Sequence, residues 1–117
     1  MRFDLVKPCA GCPFLADGSG VHLTRERIRS LSAITSKGGA FLCHNTVEHD
    51  ADGEHVYSRR EQYCAGALAY ALNTGDAMSD TVVQIRLAHK PGNYEKIRAM
   101  RGTVYVSLKD WLARGSF

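Results

Sequence analysis

Apolar residues recur on a helical period in several short stretches of this chain, and little of it follows the strict alternation of a strand. In RERIRSLSAIT the apolar positions are Ile28, Leu31 and Ile34, set between Thr24 and Gly38-Gly39. That spacing predicts an amphipathic helix over about residues 25–36, capped by Thr24 and stopped by the glycines. CAGALAYAL is small and apolar on every side, which suits a buried helix. Ser58 followed by Glu61 has the form of a capping box ahead of it, so the helix is expected to end near Thr74-Gly75 with Cys64 close to its start. Ser79 is expected to cap a helix running to His89, and Asn93 another closed by Gly102. Ser107 with Asp110 opens a final turn or two carrying Trp111. Between the first two helices, AFLCH reads as a strand or extended loop, and Asp52-Gly53 as a hairpin turn. The pattern predicts a mainly α, small and irregular single domain over 1–117, with short helices and at most a small β-hairpin. Tyr70, Tyr94, Tyr105 and Trp111 fall at spacings that suit core packing.

Composition narrows the chemistry. The chain has 117 residues, a formal charge of +3 and four cysteines. A charge this small is less than a dedicated nucleic-acid module concentrates, so nucleic acid and protein both stay open as partners, and no oligomeric state is selected. No apolar run is long enough to span a bilayer, and MRFDLVK lacks the apolar core of a secretory signal, so a cytosolic protein with no membrane partner is expected. In a reducing compartment, cysteines bind metal or act as thiols more often than they form structural disulfides.

All four cysteines, Cys9, Cys12, Cys43 and Cys64, lie in the first 64 residues, each at a boundary between predicted elements. A C-x2-C pair plus two remote thiols can meet at one metal centre and staple segments that short helices alone would hold poorly. Residues 7–75 then form a metal-binding half, and 76–117 a helical C-terminal part. The metal is expected to be an iron–sulfur cluster of the 4Fe–4S type, because its thiolate ligands are often dispersed and a proline often follows one of them, as Pro13 follows Cys12. Ala10, Gly11, Ala65, Gly66 and Ala67 leave room for such a group. Zinc is the alternative, held either by all four cysteines or by three cysteines and a histidine, His44 being the other candidate ligand.

The ordered set Cys9, Cys12-Pro13-Phe14, an LTRERIRSL-like helix, Phe41, Cys43-His44, Thr46 and Cys64-Ala65-Gly66 resembles an uncharacterised four-cysteine domain-of-unknown-function family of actinobacteria and their phages. The resemblance covers about residues 7–75. It implies a metal or cluster site without an established activity, and a phage or host-interaction role fits it.

Other motifs carry less. A thioredoxin-type pair needs a helix directly after its C-x-x-C, which Pro13 and ADGSG interrupt; a thiol redox enzyme built on Cys64 at a helix start remains a further alternative. The P-C-x-x-C of a zinc deaminase is present without its H-x-E partner. Asp50, Asp52 and Glu54 resemble a fragment of a calcium loop but read better as a solvated turn, and His22, His49, His55 and His89 as surface histidines. Arg25, Arg27 and Arg29 diverge around their helix; with Arg59, Arg60, Lys90, Lys96, Arg98 and Arg101 they read as solvated surface. No catalytic constellation emerges, and a structural or regulatory metalloprotein is the expected function.

Overall fold

A computed structural model describes residues 5–9, 11–37, 41, 43, 48–56, 62–88 and 90–117. Its first helix, α1 (Arg25–Thr35), begins where Thr24 accepts a hydrogen bond from the Arg27 amide at 3.2 Å. The inward stripe is Ile28, Leu31, Ser32 and Thr35, whereas Ile34 is 49% exposed. Counting only apolar residues therefore placed the stripe slightly wrongly. Ser32 and Thr35 can be buried because their hydroxyls are bonded, to the Tyr70 hydroxyl at 2.6 Å and to the Leu31 carbonyl at 2.7 Å. The Asp52-Gly53 turn joins β1 (Glu48–His49) to β2 (His55–Val56), antiparallel with Glu48 opposite Val56. Gly53 takes φ +81°, and Asp50 accepts the amides of Asp52 and Glu54, making a bonded, exposed turn.

The centre of the fold is α2 (Ala65–Thr74), buried from Ala65 through Ala71. Its small side chains let α1, α3 (Ala77–Leu87), α4 (Asn93–Ala99) and the 3₁₀ turn Arg101–Thr103 all pack against it. Several caps differ from expectation. The N-cap of α2 is Cys64; the Ser58–Glu61 box lies outside the described residues. Asp76, not Ser79, caps α3, its carboxylate accepting the Ser79 amide at 3.0 Å. Ser79 is instead buried and donates to the Ser36 carbonyl at 2.6 Å, tying α3 to the end of α1. Gly92, at φ +87°, stands in the cap position of α4, which stops at Ala99 before the 3₁₀ turn rather than continuing to Gly102. Helix α5 (Leu108–Arg114) starts at Ser107 as expected and packs against α1. The Asp110 carboxylate makes a bidentate pair with Arg114.

Tyr70, Tyr105 and Trp111 are buried, while Tyr94 is half-buried with its hydroxyl on Asp80 at 2.6 Å. Phe14 occupies the middle of an aromatic group, with ring centroids 4.7 Å from Trp111 and 5.4 Å from both Tyr70 and Phe41. The N-terminal loop holding Phe14 is sewn to the end of the chain. Tyr105 donates to the Phe14 carbonyl, Ala16 to that of Thr103, Leu23 to that of Gly115, and Phe117 to that of Leu23. The early and late parts of the chain thus share one core. Among the described residues no helix is long and apolar enough to cross a membrane.

Candidate metal centre

Three backbone segments bring the cysteines together. The first is a turn in which the Cys12 amide donates to the Cys9 carbonyl at 3.2 Å and Gly11 adopts φ +79°, a conformation that glycine takes without strain. The second and third lie side by side: Cys43 donates to the Gln62 carbonyl and Cys64 to the Phe41 carbonyl, both at 2.8 Å. That two-bond clamp places Cys43 next to the start of α2.

The sulfurs meet in two pairs. Cys9 Sγ lies 3.8 Å from Cys43 Sγ, and Cys12 Sγ lies 3.9 Å from Cys64 Sγ. The pairs are neighbours, since Cys12 also acts on Cys9 and the Cys43 charge on Cys64. Among the described residues, no three Cys, His, Asp or Glu side chains converge on one point as a ready-made metal-binding group. Cys12, Cys43 and Cys64 are at most 3% exposed, and Cys9 is half-buried. None is in a disulfide.

Glycines make this arrangement fit. A Cβ on Gly66 would stand 2.6 Å from Cys12 Sγ and 3.2 Å from Phe14 Cβ. A Cβ on Gly20 would meet the Cys12 carbonyl oxygen at 1.8 Å. Gly66 belongs to the small-residue run singled out in the sequence; Gly20 figured there only as the end of the helix-breaking ADGSG, because its close approach to a residue eight positions away is created only by the folded loop.

Burial and mutual contact separate the thiols electrostatically. The hydrogen bond from Cys64 holds Cys12 below the ordinary thiol range, and the same bond, followed by burial, pushes Cys64 well above it. Cys9 is pushed up to about 12, first by burial and then by the charge of Cys43. Tyr63, beside Cys64, is raised to about 12 by burial, against the opposing pull of Arg86, whose guanidinium lies 5.3 Å from the centre of its ring. A metal would deprotonate all four thiols, so the low-lying Cys12 is the ligand best prepared for it.

His44 and Thr46 of the sequence pattern lie outside the described residues, as do Arg59, Arg60 and His89. His22 is exposed with a ring nitrogen on the Gly18 carbonyl, and Arg25, Arg27, Arg29, Lys96 and Arg98 are spread over exposed surface. Arg101 is half-buried and donates to the Asn73 side chain at 3.0 Å. No protein-family description, curated protein or solved structure matches this chain.

Proposed function

We propose that the chain is a small cytosolic metalloprotein whose thiolates Cys9, Cys12, Cys43 and Cys64 hold an iron–sulfur cluster, in a structural or regulatory role. The observation that carries the reading is the meeting of four thiols from three separate segments as two contacting pairs at the edge of the apolar core. Neutral thiols bury as small apolar groups do, so burial alone does not select a metal; the support lies in thiols from three separate segments coming into contact with one another.

The pair spacing bears on which cluster. Two thiolates bound tetrahedrally to one metal at about 2.3 Å stand about 3.8 Å apart. Four-iron clusters give each thiolate its own iron, which spreads the sulfurs wider, whereas two-iron clusters take two thiolates per iron. The contacts of 3.8 and 3.9 Å favour the two-iron form over the four-iron form expected from the sequence. Zinc is the second reading; each pair has the edge that two zinc-bound thiolates take, though a single ion would have to draw the two pairs together. The resemblance of residues 7–75 to a four-cysteine family supports either.

Protein purified without oxygen, with its visible spectrum, iron, sulfide and zinc measured, decides between them. Broad visible absorption with two irons and two sulfides per chain is expected. A colourless protein carrying one zinc selects the second reading, and a protein with neither metal overturns both.

A further inference from the structure

We infer that the site doubles as a thiol–disulfide switch that closes by cross-pairing, Cys9 with Cys43 and Cys12 with Cys64, rather than by bridging the two cysteines of the C-x2-C. The inference concerns the regulation of the site proposed above and rests on that reading only for the reduced, metal-bound state. The cross-pairing itself rests on geometry.

Each contact needs its sulfurs to approach by about 2 Å to reach disulfide length, a side-chain adjustment. The segments are already held in register for it: the clamp between 41–43 and 62–64 fixes Cys43 and Cys64, and the Val21 amide on the Gly11 carbonyl at 2.9 Å, with the Cys12 amide on the Cys9 carbonyl, ties down the first loop. The pairs differ in access. Cys9 alone of the four is half-buried, and a cleft of about 400 Å³ lined by Lys7, Pro8, Asp17, Met100 and Thr103 opens beside its chain neighbours. Cys9 is thus the sulfur nearest to solvent, so the Cys9–Cys43 pair is the one an oxidant reaches first once a thiol there gives up its proton, and the fully buried Cys12–Cys64 pair follows.

The oxidant is a small-molecule disulfide, RSSR. A cysteine thiolate attacks one of its sulfurs and expels RS⁻, leaving a mixed disulfide. The partner thiolate then attacks the cysteine sulfur and expels the second RS⁻. Both thiol protons end on the two RS⁻ groups, so each pair loses two electrons, RSSR gains two, and two RSH are released.

The test treats the full chain, purified without oxygen and assayed for metal, with oxidised glutathione, blocks remaining thiols at intervals and maps tryptic peptides without reduction. Cys9 and Cys12 share the peptide 3–25, Cys43 lies in 38–59 and Cys64 in 61–86. The expected course is an early link of 3–25 to 38–59, then addition of 61–86 to the same species, with the titratable thiols falling from four to none as bound metal is released. Fragment spectra breaking between Cys9 and Cys12 assign the partners without any substitution. In Cys9→Ser the expected link joins 3–25 to 61–86 alone.

A species joining 38–59 to 61–86 without 3–25 overturns the inference, as do links of Cys9 to Cys64 or glutathione adducts that never resolve. Metal present together with a Cys9–Cys12 bridge sinks the switch and leaves the metal reading standing. Metal absent while the cross-pairs form does the reverse.

Discussion

Gly66 is where a single hydrogen atom decides the geometry of the thiols. An alanine there would push its methyl carbon into Cys12 Sγ and Phe14 at once, and neither can retreat, because both are fully buried. Gly66→Ala is expected to cost about 1–3 kcal/mol, the usual range for overpacking, and to lower metal content measured on the purified protein. Gly102→Ala is the control: nothing lies within 4 Å of its Cβ, so the melting temperature should stay unchanged or rise slightly. Equal behaviour of the two variants would contradict the cradle. Cys64 offers a sharper test. Serine caps helices better than cysteine, so Cys64→Ser improves the local start of α2 while removing one of the four proposed ligand thiols. Loss of metal and of helical circular dichroism in that variant therefore reports the ligand role, and a variant that kept both would remove Cys64 from the site. The four cysteines and the small residues around Cys64 were legible from sequence because spacing and size are one-dimensional properties. Their pairing was not, since it depends on how 41–43 lies against 62–64.

At the scale of elements, the helix caps carry the testable energies. Ser107 accepts the Asp110 amide at 3.1 Å and starts the helix that holds Trp111 in the core. Ser107→Ala should cost about 1 kcal/mol, read as a lower urea midpoint from tryptophan fluorescence. Helix α3 is joined to α4 by the Tyr94 hydroxyl on Asp80, a bond that lowers the Asp80 carboxyl below its ordinary range. A group whose folded pKa is depressed contributes stability above its unfolded pKa, about 3.9, and loses it as pH falls through the folded value. The melting-temperature gap between the wild type and Asp80→Asn should be present at pH 7 and shrink as the pH is taken below the ordinary carboxylate range, where the wild-type carboxyl also takes up its proton. A gap independent of pH would mean that the Asp80 charge does not matter. Helical periodicity located the helices, yet it misassigned the starts of α3 and α4. Asp76 and Ser79 are both good caps, and the choice between them is made by the Ser36 carbonyl, which takes the Ser79 hydroxyl from another helix. Likewise Ser32 and Thr35 look polar in sequence and become core once Tyr70 and a helix carbonyl bond them.

Over the whole molecule, a mainly helical fold with one small hairpin was legible because α2 is apolar on all faces and short capped helices surround it. What no local pattern revealed is that the thiol-bearing loop is held by the opposite end of the chain. Residues 14–23 are bonded to 103–105 and 115–117, with Phe117 and Gly115 gripping Leu23 from both sides of its peptide. A ribosome makes the loop first and its fastener about ninety residues later. During synthesis the C-x2-C turn therefore waits, unlatched, while those intervening residues are translated, and its thiols stay open to whatever can reach them until residues 103–117 close over the loop.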